Sequence, residues 1–190
     1  PLDGLIETQS LFAFVADEAI EGAFLNDDLD ATDPVLRIRD HATGVILPIG
    51  TGEAAGRAAA RVKDGRNRFP AVAVEGDVVA FLELEPLEGE QDTNQNGSVF
   101  DTILRVYEVE DDCGEGAACA EERTASFATP LAVDAAPKVD GRSLAVSDGV
   151  VYFRVPEWRQ AQQVTELVSV NSSGVAGVPN HHSGCPALSA

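Results

Sequence analysis

The chain has 190 residues, 44% of them hydrophobic, and carries 32 acidic against 13 basic residues for a formal charge of −19. A core is affordable, but no stretch supplies the basic face that a nucleic-acid partner requires. No apolar run reaches the roughly 18 residues of a membrane span. The surplus of carboxylates suits divalent cations, and it also serves solubility alone.

In chain order, residues 4–18 (GLIETQSLFAFVADE) place an apolar run, a polar turn and a second apolar run centred on Phe14, closing on Glu18. β-Branched and aromatic residues around such a turn predict a strand–turn–strand unit. An acidic segment follows, and then VLRIRD (35–40), whose alternation predicts a half-buried third strand. GVILPIG (44–50) is the expected fourth. The pattern returns in AVAVEGDVVAFLELE (71–85), with Phe81 and Glu85, followed by ILRVYEV (103–109) and ASFATPLAV (125–133) as third and fourth strands. It returns again in SLAVSDGVVYFRVPE (143–157), with Phe153 and Glu157.

Four short strands per repeat make the blade of a β-propeller. Phe14 to Phe81 spans 67 residues and Phe81 to Phe153 spans 72. Aligning the terminal CPALSA with FPAVAV leaves about 44 residues for the third unit, an ordinary blade length. The reading is therefore all-β, a partial propeller of about three blades, two with long acidic insertions. The divisions are 1–69, 70–141 and 142–185, with 186–190 opening a further blade. The chain opens at Pro1 with no initiator Met or signal peptide and reads as processed or cut. Three blades fall short of the four that close a ring, so further blades of the same or another chain are the expected partners.

Asp92, Asn94, Asn96, Ser98 and Asp101 space oxygen ligands at positions 1, 3, 5, 7 and 10 of a loop, with Gly97 at the sharp turn. Calcium takes six to eight such oxygens, and this spacing wraps them about one point. Position 12 is Ile103 rather than Glu and the flanks are strands, so the loop is no EF-hand. An Asx-rich turn is the alternative, because Asp, Asn and Gly favour turns unaided. In the first unit Asn26, Asp28, Asp30 and Asp33 keep the oxygens, while position 1 is Phe24 and the Gly position is Leu29. The lost carboxylate and the added Cβ weaken this second calcium candidate against a solvated acidic turn. Glu18 and Glu85 precede the two loops and could contribute carboxylates to them; Glu157 recurs where no loop follows, which favours a structural role at the strand end.

Cys113 and Cys119 lie in DDCGEGAAC, a short loop that closes easily as a disulfide and points to an oxidising compartment. A zinc site would need four ligands, and no CxxC or nearby His is present. Cys185 is left free or paired elsewhere. No nucleophile elbow, zinc-protease helix, phosphate loop or dinucleotide turn occurs. His41 reads as a solvated turn residue, and the pair His181-His182, near Ser172, Ser173 and Ser183, lacks an acid to complete a triad. The chain is thus read as a non-enzyme.

VTELVSVNSSGVAGVPNHHSGCPALSA (164–190) resembles the TolB-like propeller repeat, and the phrase returns, degraded, in FPAVAVEGDVVAF (69–81). The longer units resemble blades of bacterial surface propellers that carry D-x-N-x-D-G-D loops. The resemblance implies a secreted, periplasmic or cell-surface propeller stabilised by calcium, a module for protein interaction or extracellular structure. The alternative is the accessory propeller of a larger secreted hydrolase or peptidase.

Overall fold

The computed structural model describes residues 3–50, 56–64, 66–114, 117–127, 129–136, 141–155 and 168–169. Expectations placed on Glu157, Ser172, Ser173, His181, His182, Ser183, Cys185 and 186–190 lie outside the described residues. The chain is all-β. Its first sheet is an antiparallel meander of β1 (Asp3–Glu7), β2 (Leu11–Asp17) and β3 (Pro34–Asp40), with a single helical turn α1 (Glu18–Glu21) after β2. The outer edge of β3 is shared by two short pieces, β4 (Ile46–Leu47) at Ile38 and Arg39, and β5 (Arg57–Ala58) at Val35 and Leu36. A hairpin of β6 (Arg61–Asp64) and β7 (Asn67–Pro70) leads to the second sheet. That sheet runs β8 (Val72–Glu75), β9 (Val78–Leu84), β10 (Thr102–Glu110) and β11 (Cys119–Glu122) in meander order. The third pairs β12 (Ala145–Ser147), β13 (Val150–Tyr152) and β14 (Val168–Ser169).

The duplication read from the sequence holds at the level of register. Phe14 pairs with Arg37 across β2 and β3, and Phe81 pairs with Arg105 across β9 and β10. The fourth strands differ from the expectation. Of 44–50 only Ile46–Leu47 is strand, and 125–133 contributes a lone bridge from Ala132 to Ile103 while β11 takes the outer edge. Pro48 offers no N–H to a ladder where β4 ends, and in the second sheet the turn Thr124–Ser126 separates β11 from the bridge at Ala132. The second break copies the first: β5 meets β3 two residues after Asp33, as Ala132 meets β10 two residues after Asp101.

The sheets stack face to face. Leu11, Ala13, Val15, Leu36 and Ile38 of the first pack on Val79, Phe81, Tyr107 and Val109 of the second. The opposite face of the second sheet, with Ala80, Leu82, Leu104 and Val106, packs on Leu144 and Val151 beside the third. Covered on both sides, β9 is buried at six of its seven residues, as a strand sandwiched between layers must be. A buried ion network bridges the first two sheets: Glu83 accepts from Arg57 of β5 and from Arg105 of β10 at 2.7 Å, and Arg105 also reaches Glu122 at 3.0 Å. Removing one partner would strand a buried charge, so this network fixes how the two sheets meet. Among the described residues the sheets do not close on themselves.

Candidate cation site

Each acidic loop leaves its sheet at the end of a central strand, and each is clamped by one buried carboxylate. Glu18 and Glu85 are both fully buried. Glu18 Oε1 accepts the Leu25 N–H and Oε2 accepts the Asp33 N–H at 3.2 Å, so the two ends of the first loop are tied to one side chain. Glu85 does the same for the second, accepting from Thr93 N at 2.8 Å and Asp101 N at 3.0 Å. Backbone bonds from Glu18 N to Asp33 O and from Glu85 N to Asp101 O complete the two clamps.

Within the clamps the two loops have one backbone shape. Asp27 and Gln95 have φ of +66° and +55°, and Leu29 and Gly97 have φ of +75° and +85°. Asp28 Oδ1 accepts the Asp30 N–H at 3.0 Å where Asn96 Oδ1 accepts that of Ser98 at 2.8 Å. Asp30 then accepts from Thr32 N at 2.9 Å as Ser98 Oγ does from Phe100 N at 3.2 Å.

Their charges separate them. In the second loop Asp92 accepts the Asn96 and Gly97 N–H groups at 3.0 and 2.8 Å, while the amides of Asn94 and Asn96 donate to Asp101 at 3.0 and 2.5 Å. That ring answers its own carboxylates with N–H groups. In the first loop Asp28, Asp30 and Asp33 come together with Glu18, each placing one carboxylate oxygen within 4.8 Å of the others. Burial pushes the Asp33 carboxyl up to about 7, and the neighbouring Asp28 and Asp30 add to the shift.

Asn26 completes the first loop. It is 2% exposed, its Nδ2 donates to Asp33 Oδ2 at 3.4 Å and to Leu87 O at 2.9 Å, and its Oδ1 is buried without a hydrogen-bond partner among the described residues. An unsatisfied buried carbonyl oxygen costs on the order of 1–3 kcal/mol. The four carboxylates form an all-oxygen donor set with the Asn26 amide beside it, which suits a hard cation such as calcium rather than a thiophilic metal.

The sequence placed Asn26, Asp28, Asp30 and Asp33 in one loop and left Glu18 between a contributed carboxylate and a structural role at the strand end. The signal for Glu18 was its recurrence as Glu85 at the same offset from the phenylalanine. Cys113 and Cys119 are joined, with Cα atoms 5.9 Å apart, and close the β10–β11 hairpin. His41 meets Glu7 at 3.1 Å and stacks on Phe12, away from the acidic loops.

No family model, curated protein or solved structure matches the chain.

Proposed function

We propose that the protein is a non-catalytic, calcium-stabilised β-propeller module of TolB-like type, secreted, periplasmic or displayed on the cell surface, where it serves protein interaction or extracellular structure. The observation that carries this reading is the Glu18–Asp28–Asp30–Asp33 cluster with the buried, unpartnered Oδ1 of Asn26 beside it. Four like charges gathered on a clamped loop repel one another unless protonated or bridged, and a divalent cation relieves both the repulsion and the orphaned carbonyl. The second loop, Asp92 to Asp101, has the same backbone and is proposed as a weaker site, whose Asn94 and Asn96 amides must turn their oxygens inward to ligate. Two meander sheets of matching register, stacked face to face with a third beyond, support the propeller architecture. The disulfide supports an oxidising compartment, and no helix among the described residues is long and apolar enough to cross a membrane.

Calcium titration by calorimetry and thermal melts with calcium or chelator test the proposal. A cation that binds only the folded chain adds about 2.7 kcal/mol at a hundredfold excess over its dissociation constant. Asp28→Asn with Asp30→Asn is expected to abolish most of that gain, and Asp92→Ala a smaller part. Absence of binding heat and of any calcium-dependent shift would refute it.

A further inference from the structure

We infer that the cation of the first loop is held by two sheets at once, with the main-chain carbonyl of Leu87 as a ligand, and that it fastens the first sheet to the second. This rests on the calcium reading of the loop and goes beyond it, because every ligand considered so far comes from the first sheet's own chain segment.

The decisive group is the Asn26 amide. Its nitrogen lies 2.9 Å from Leu87 O and 3.4 Å from Asp33 Oδ2, while its oxygen is buried with no partner among the described residues. The corresponding Asn94 Oδ1 is satisfied, accepting from Asn96 N at 3.2 Å. The first loop thus strands one oxygen and points an N–H2 group at two others. A half-turn of the amide exchanges its oxygen and nitrogen, a torsion that costs little by itself. Asn26 Oδ1 then faces both Asp33 Oδ2 and Leu87 O. Oxygens sharing one calcium at about 2.4 Å, and subtending roughly 75–90° at the ion, lie about 2.9–3.4 Å apart. The two separations from the Asn26 amide fall at the ends of that range, so Asn26 is spaced to share a cation with either neighbour. Without the cation the same three oxygens repel, which is why the amide presents its hydrogens.

Leu87 belongs to the helical turn Glu85–Leu87 that follows β9, the turn whose Glu85 clamps the second loop. The contact therefore crosses from the first sheet to the second. Gly89 brings the same turn up to the Asp28 side chain, since a Cβ there would lie 3.8 Å from Asp28 Cβ. The peptide that offers Leu87 O also carries the Glu88 N–H, which donates to Glu85 O at 3.1 Å. Ligation would pin this peptide from both ends.

The test is calcium titration of the isotope-labelled full chain by NMR, in an Asp92→Ala, Asn96→Ala background that silences the second loop. Calcium is expected to shift the Leu87 carbonyl resonance together with those of residues 26–33. It should also slow exchange of the Glu88 amide, by up to about a hundredfold at a hundred times the dissociation constant. Asn26→Leu should weaken binding and leave Leu87 and Glu88 at their calcium-free values. Asn26→Asp, which keeps an oxygen in place, should restore both effects. Calcium that shifts residues 26–33 but leaves Leu87 and Glu88 unchanged overturns the inference while sparing the calcium site. No resonance change and no binding heat remove both.

Discussion

Leu29 sits at φ +75° with its side chain 83% exposed, at the position that Gly97 fills in the other loop. A Cβ in left-handed backbone costs about 1–2 kcal/mol, and here no packing is lost by removing it. Leu29→Gly is therefore expected to stabilise the chain by about 1 kcal/mol in denaturant melts, net of the extra freedom glycine gives the unfolded state. A loss of stability would mean that the exposed leucine has a contact of its own. Glu88 offers a test by pH. Its Oε1 accepts the Ala58 N–H at 2.5 Å, and burial, reinforced by the Glu83 charge, pushes its carboxyl up from 4.5 to about 7. A raised carboxyl means that the folded state binds the proton more tightly than the unfolded one. Its contribution is full below about pH 4.5 and is lost as pH rises through 7. In chelator, Glu88→Gln keeps the acceptor without the charge. It should gain on the order of 1 kcal/mol over the parent at pH 8, after allowance for solvent screening, and little at pH 5. Equal stability of the two at both pH values would refute the reading.

At the scale of the element, the loops owe their shape to a clamp more than to their own turn residues. Phe24 replaces Asp92, Leu29 replaces Gly97 and Asp30 replaces Ser98, yet the left-handed positions and the Asx bonds coincide. What the loops share is the buried glutamate that fixes both ends. Hydrogen bonds from backbone N–H to a charged acceptor contribute about 1.5–3 kcal/mol each, and an N–H left facing a donor forfeits its bond outright. Glu85→Gln replaces one accepting oxygen with an NH2 group and should cost about 2–3 kcal/mol. Amide exchange should quicken at Thr93 or Asp101 before it quickens in β9 and β10. Uniform acceleration across the sheet would show that the glutamate supports the core rather than the loop.

For the whole molecule, the repeat shows which surface lacks its neighbour. Phe81 is fully buried because the first sheet covers it, whereas Phe14, its equivalent, is only half-buried beside Phe12 on the outer face of the first sheet. Arg105 meets Glu83 of its own sheet beneath that cover, whereas Arg37 occupies the same register with its Nε buried and unpartnered among the described residues. A face built like a covered one, with an arginine awaiting a carboxylate, is expected to take a further sheet of the same kind. The isolated chain should accordingly self-associate in light scattering after size exclusion, and Phe14→Lys should reduce the association. A clean monomer of about 20 kDa that melts in one cooperative step would contradict this expectation and favour a self-sufficient stack.

Period-two alternation around Phe14 and Phe81, polar turns between strands, and oxygen donors at every second position of the loops are local signals, and the sequence alone sufficed to place β1–β3, β8–β10, both loops and the Cys113–Cys119 link. The same signals missed the broken outer strands, because whether an edge strand pairs depends on which backbone groups its neighbour leaves open. They left Glu18 between a contributed carboxylate and a strand-end role, and never brought Leu87 near Asn26, 61 residues away. The ranking of the loops shows the difference most plainly. By spacing, the second loop is the better calcium site; by environment, its asparagines neutralise Asp101, while the first gathers four carboxylates and a stranded amide. Spacing along the chain decides which side chains are able to meet. Burial, and the neighbouring sheet that causes it, decides which of them are left without water and in need of a charge.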